Sequence, residues 1–332
     1  MVNRFAIISV VVAVLGLQSA CAPRLQELGP AAATGFIAPH IEVDRFITRD
    51  GQHLGLTTWQ AGEPQAIIIA LHGMGDYSNA FALPGPWWAE HGISTYAIDQ
   101  RGFGRSPQRG IWPGSDLMVQ DLEDLVAVVR AIHPALPVYV LGHSMGGAVV
   151  IAAHGDGNLD VEGTILVAPA VWGWSSIRFP LGPMLWMTAH LTPGATATGS
   201  SLERWPTDNI ELLRANGADE LMIRETRMDA VYGLVGLMER GYTQADQVSG
   251  PVLVLYGGND QIIPPKPVTH AVREMCSSRR VGIYEDGYHM LLRDLAGEIV
   301  WRDILSFVQD DAAALPSGAD SVGFLQHPCG SP

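Results

Sequence analysis

Short apolar runs separated by helical stretches constrain this chain more than any other feature. They are Ala66-Ile-Ile-Ile-Ala-Leu71, Ile93-Ser-Thr-Tyr-Ala-Ile98, Val138-Tyr-Val-Leu141, Thr164-Ile-Leu-Val167, Val252-Leu-Val-Leu-Tyr256 and Arg280-Val-Gly-Ile-Tyr284. A strand apolar on both faces must be covered on both, and intervening helices make neighbouring strands parallel. The expectation is an α/β protein with a mostly parallel, doubly wound sheet. Residues 41–47 alternate like a half-buried strand, with 53–59 as its partner. Residues 115–132 read as an amphipathic helix, Leu117, Leu122, Leu125, Val126 and Val129 opposing Asp116, Asp121, Glu123 and Asp124. A last helix is expected over 297–308.

The rhythm stops between residues 170 and 248, a stretch holding Trp172, Trp174, Phe179, Met184, Leu185, Trp186, Met187 and Trp205. An insertion of that length implies helices of its own, and it reads as a cap. The chain then divides into a leader (1–20), a linker (21–39), a first core segment (40–169), the cap (170–248), a second core segment (249–310) and a tail (311–332).

The sequence Gly142-His-Ser-Met-Gly146 joins the run at 138–141 to an apolar helical stretch at 148–153. A serine between a strand and a helix sits on a tight turn, which needs residues without bulk on either side; Gly142, Gly146 and Gly147 supply them. The helix start favours negative charge developing nearby. Such a serine needs a base and an orienting carboxylate, following it in the order acid, then histidine. Strand 252–256 runs into Gly257-Gly-Asn-Asp260, and the next into Glu285-Asp-Gly-Tyr-His289. Both endings fall on the nucleophile's edge, so Ser144, Asp260 and His289 are the expected catalytic residues. Asp286 competes as the acid, whereas Asp99 precedes the serine. His143 and His270 are expected to pack rather than react. The oxyanion hole should combine the Met145 amide with Met74 in His72-Gly-Met-Gly75, where His72 supports the loop.

Together with Asp99-Gln-Arg-Gly-Phe-Gly-Arg-Ser106, these motifs resemble the α/β-hydrolase superfamily. Within it, the chain is similar to the monoacylglycerol lipase and lysophospholipase branch, often grouped with serine aminopeptidases. The resemblance covers roughly residues 41–308. It implies nucleophile Ser144, acid Asp260, base His289, oxyanion donors Met74 and Met145, and a helical cap after the sixth strand. The Asp99–Ser106 segment would shape a loop near the site. Ester hydrolysis through an acyl-enzyme is implied, with no metal or organic cofactor. Trp172, Trp174, Trp186 and Met187 are the cap residues expected to meet a lipid-like acyl chain. An aminopeptidase of this fold would instead hold an amine on cap acids, drawn from Glu203, Asp208, Glu211, Asp219, Glu220, Glu225 and Asp229. A non-catalytic scaffold is the third reading.

The leader has Arg4 and then an apolar run over 5–17, short of the ~20 residues a bilayer span needs but suited to a signal-peptide core. Leu17-Gln-Ser-Ala-Cys21 resembles a bacterial lipoprotein signal, which would make Cys21 a lipidated, membrane-anchored first residue facing the periplasm. Ordinary cleavage with release, or retention as an uncleaved anchor, are the alternatives. Cys276 and Cys329 remain as a pair that an oxidising compartment would join. Formal charge −14, from 20 basic and 34 acidic residues, argues against a nucleic-acid partner.

Overall fold

The computed structural model describes residues 22–157, 159–198, 204–275 and 278–321. The leader, Cys21, Cys276 and Cys329 lie outside them. In chain order the strands are β1 (His40–Glu42), β2 (Arg45–Ile47), β3 (His53–Trp59), β4 (Ala66–Leu71), β5 (Ile93–Ile98), β6 (Val138–His143), β7 (Gly163–Val167), β8 (Thr196–Thr198), β9 (Glu225–Arg227), β10 (Val252–Gly257) and β11 (Arg279–Tyr284). Nine form one sheet in the order β1-β2-β3-β5-β4-β6-β7-β10-β11. From β5 to β11 every pairing is parallel, while β1, β2 and β3 add an antiparallel margin.

The helices are α1 (Pro84–Glu90), α2 (Ser115–Ile132), α3 (Met145–Asp156), α4 (Leu181–Leu191), α5 (Ile210–Ala218), α6 (Met228–Thr243), α7 (Pro265–Glu274) and α8 (Gly297–Gln309). Side chains alternate across each strand, so β4 sends Ile67, Ile69 and Leu71 into one core and Ala66, Ile68 and Ala70 into the other. The first core is closed by α2, α3, α6 and α7, the second by α1 and α8. That two-sided burial is why the runs are apolar throughout.

Four expectations change. Residues 41–47 are not one strand: β1 turns back through Val43 and Asp44 onto β2, pairing Glu42 with Arg45. The alternation continued through the turn, which lacks glycine and proline. This split makes the cap follow the seventh strand rather than the sixth. The cap is also shorter than 170–248, because α6 packs on the body. Gly241 lies against Ala148 of α3, and a Cβ on Gly233 would collide with the Trp112 indole. What remains outside the body is α4, α5 and the small β8–β9 ribbon.

Finally, residues 22–39 are a docked strap rather than a free linker. The Gln26 amide donates to the Trp112 carbonyl at 3.0 Å, and the Gly29 amide to Asp50 Oδ2 at 2.8 Å. At the other terminus, the Ile283 amide donates to Ala319 O (2.9 Å) and Ser321 N–H to Val281 O (2.8 Å), laying the tail antiparallel along β11.

Candidate active site

Strand β6 ends in a turn whose apex is Ser144, at φ 53° and ψ −115°, and α3 starts at the next residue. This left-handed backbone is unfavourable for a residue with a Cβ, and the surroundings hold it there. The Ser144 amide donates to Val167 O at 3.0 Å, and its carbonyl accepts from the Gly147 and Ala170 amides, both at 2.9 Å. A Cβ on Gly142 would sit 2.5 Å from the Gly146 carbonyl oxygen, and one on Gly146 would collide with the Leu71 carbonyl. The two flanking glycines are thus required by close backbone approach.

The acid and base lie in the loops after β10 and β11, which run parallel side by side. His289 donates from Nδ1 to Asp260 Oδ2 at 2.8 Å. Asp260 Oδ1 accepts from the Ile262 and Ile263 amides at 2.7 and 3.0 Å, fixing the carboxylate plane. With the proton on Nδ1, Nε2 of His289 is left as the basic nitrogen. Asp286 is exposed, and Asp260 already occupies Nδ1. Ser144 is 8% exposed and His289 6%, so the site is sheltered from bulk water.

His143 joins the serine turn to the histidine loop, its Nε2–H donating to the His289 carbonyl at 3.0 Å with ring centres 5.1 Å apart. Burial, with His289 and Arg293 nearby, pushes His143 down to about 3, so it stays neutral. His270 stacks on Tyr242 (4.7 Å) at the surface.

The loop after β4 lies against the nucleophile: a Cβ on Gly73 would be 3.1 Å from Ser144 Cβ. His72 donates from Nδ1 to the Gly73 carbonyl (2.8 Å) and accepts the Gln100 amide at Nε2 (3.0 Å), bracing the loop from behind. The Met74 amide bonds to no carbonyl among the described residues. Met145 is the first residue of α3, so its amide has no intrahelical acceptor. Asp99 accepts the Ser78 and Arg105 amides, each at 2.9 Å, and shapes the neighbouring loop.

Three ties near the site have no local signature in the sequence. Arg293, 2% exposed, donates to buried Asp76, locking the histidine loop to the Met74 loop. The Ile223 amide donates to the Gly75 carbonyl at 2.8 Å, and Tyr77 Oη–H to Asp219 Oδ2 at 2.7 Å; both hold the cap on the Met74 loop. Each joins residues more than a hundred positions apart. Of the four cap residues, Trp174 packs on the main core and against Tyr232 (5.1 Å), and Trp172 is half-buried. Trp186 and Met187 are largely exposed, Trp186 stacked on His190 at 4.3 Å.

Among the described residues, no three His, Cys, Asp or Glu side chains gather as a metal would require. A family model described as serine aminopeptidase, S33, matches residues 62–296. Monoacylglycerol lipase from Mycolicibacterium smegmatis is 27% identical over 255 residues, covering 74% of this chain and 89% of the relative. Human monoglyceride lipase is 25% identical over 269 residues, covering 77% and 86%. Among solved structures, a soluble variant of monoglyceride lipase from Saccharomyces cerevisiae, in complex with a substrate analog, superposes with a TM-score of 0.68 at 18% identity, covering 83% of this chain and 96% of the other.

Proposed function

The chain belongs to the serine aminopeptidase S33 family, in the monoacylglycerol lipase branch of the α/β-hydrolases, and from that premise we propose that it hydrolyses carboxylic esters through an acyl-enzyme on Ser144. The observation that carries the reading is the His289–Asp260 hydrogen bond, set on adjacent strand ends beside a serine held in a strained turn. His289 Nε2 takes the Ser144 proton as Oγ attacks the ester carbonyl, and Asp260 stabilises the imidazolium that forms. The tetrahedral oxyanion is held by the Met74 and Met145 amides, each contributing ~3–4 kcal/mol. The imidazolium returns its proton to the leaving alcohol. Water deprotonated by the same histidine then releases the acid.

Monoacylglycerols or lysophospholipids are the substrates we favour. The relatives named for monoacylglycerol support this, as does a cap rich in Trp and Met. The aminopeptidase reading has less support because most cap acids are already engaged. Asp208 accepts the Leu295 amide, Glu211 pairs with Arg214, Asp219 takes Tyr77, and Arg227 holds Asp229. Glu203 lies outside the described residues. We also infer export through the leader, with Cys21 as a lipidated first residue.

The test is kcat/KM on monoacylglycerols of increasing chain length, with Ser144→Ala as control. A rate that climbs into medium or long chains is expected. Turnover of aminoacyl substrates alone would replace the ester reading.

A further inference from the structure

The base and the oxyanion hole come from distant parts of the sheet. His289 follows β11 and Met74 follows β4, and the order β4-β6-β7-β10-β11 puts four strand spacings between them, about 19 Å. Both loops must nevertheless converge on Ser144, which follows β6. Strand register fixes where each loop starts, not how far apart their tips are held. A catalytic group misplaced by about 1 Å can cost about 10²-fold in rate. Something other than the sheet has to set that span.

Helix α5 meets both loops. At its start Asn209 Oδ1 accepts the Leu212 amide at 3.1 Å, which caps the helix, while Nδ2 of the same side chain donates to the Arg293 carbonyl at 3.1 Å. The residues just before it hold the same loop. The Met290 amide donates to Pro206 O at 2.8 Å, and Thr207 Oγ1–H donates to Asp294 at 2.6 Å. The other Asp294 oxygen accepts the Tyr288 amide at 2.8 Å, next to His289. At the far end the Asp219 amide closes the helix on Ala215 O at 3.1 Å, and its carboxylate accepts Tyr77 Oη–H, three residues past Met74. The Ile223 amide on the Gly75 carbonyl reinforces that end. From residue 209 to residue 219 the helix rises ~15 Å, comparable with the gap it crosses. One side chain at each end both caps the helix and grips a loop, so neither grip can shift unless the helix unwinds. Packing does not explain such a helix: only Asn216 of it is buried, Ala215 and Gly217 are exposed, and a Cβ on Gly217 would meet nothing within 4 Å.

We propose that α5 is a strut that sets the distance between the catalytic base and the oxyanion hole, with Asn209 and Asp219 as its positioning residues. It acts through the two loops rather than on the substrate, and its kinetic consequence rests on the ester-hydrolase reading. The Arg293–Asp76 pair joins the same loops directly, so the ties close into a ring. It runs from the Arg293 carbonyl to Asn209, along α5, from Asp219 to Tyr77, and from Asp76 back to the Arg293 guanidinium.

Ala215 and Gly217 allow the helix to be softened or stiffened without altering either grip. Hydrogen exchange is followed in the native protein, Ala215→Gly and Gly217→Ala at the Asp76 and Met290 amides, one in each loop. Ala215→Gly should speed both about two- to fivefold and Gly217→Ala should slow both by a similar factor, with the amides of β10 unchanged. A change at one loop only, at neither, or equally in β10 overturns the strut. In parallel, Ala215→Pro breaks the helix between its grips. It should lower kcat on a water-soluble short-chain ester about 10- to 100-fold with KM nearly unchanged, whereas Ala215→Gln, which favours the helix, should not. A loss confined to KM would make α5 a substrate contact and overturn the proposal, as would an unchanged kcat. Should Ala215→Pro fail to fold, the exchange comparison decides alone. If the native chain turns over no ester, the hydrolase reading fails, while exchange at the two loops still decides the strut.

Discussion

The meeting of Asp260 with His289, on the sheet edge where Ser144 also stands, was legible because each of the three lies just after or in the loop following an apolar strand, and parallel strands deliver their ends to one edge. We expect Ser144→Ala to cut kcat by 10⁴–10⁶, roughly, leaving what the amides and binding still provide. Asp260→Asn should cost about 10⁴ without unfolding the chain, and Asp286→Asn almost nothing. The opposite ranking in steady-state kinetics would move the acid to Asp286. Arg293 and Asp76 were not legible, since 217 positions separate them and neither lies in a motif. Asp76→Asn leaves a buried guanidinium without its carboxylate and should destabilise by about 3–5 kcal/mol in urea unfolding. Replacing both by leucine should recover much of that loss, because the second change removes the stranded charge.

Elements were read best where periodicity was undisturbed. Helix α2 spans Ser115–Ile132 as its apolar spacing predicts, and β4 and β5 coincide with their apolar runs. Helix α6 escaped because Gly233, Gly236 and Gly241 dilute its pattern, yet close packing calls for two of them. At Gly233 a substitution to alanine would gain up to ~1 kcal/mol of helix propensity. It would also drive a methyl into the buried Trp112 ring, and overpacking of that kind costs about 1–3 kcal/mol. Gly233→Ala should therefore lower Tm, although the same change in an open helix would raise it. The strap was misread because its Pro, Ala and Gly content resembles a linker. Its hold on the fold comes from Trp112, Asp50 and Asp229, which no local pattern announces. The expected Cys276–Cys329 bridge is checked by non-reducing peptide mapping, with one linked peptide as the outcome.

For the whole molecule, buried neutral histidines set the acid limit. Burial pushes His143 down to about 3 and His154 to about 4, and lowers His72 as well. An exposed imidazole in the unfolded chain titrates near ~6.5. Between that value and pH ~4 the unfolded chain binds protons that His143 and His154 refuse, so stability falls on acidification by ~1.4 kcal/mol per pH unit for each. Asp121 opposes this, since burial raises it to about 6 and it binds its proton more readily when folded. The two histidines outweigh the one aspartate and His72 acts in their direction, so a net loss of roughly 1 kcal/mol or more per pH unit is expected near pH ~5. Urea midpoints measured across that window check it, and His154→Gln should remove about one histidine's share. A different hazard attends any open sheet: its outermost strand can recruit a strand from another molecule. On one side of this sheet that invitation is withdrawn, because the Ile283 amide and Val281 carbonyl of β11 are already occupied by Ala319 and Ser321. The last described residues thus act as a chain terminator for polymerisation, and trimming the protein after residue 314 should turn a discrete particle into one that grows edge to edge.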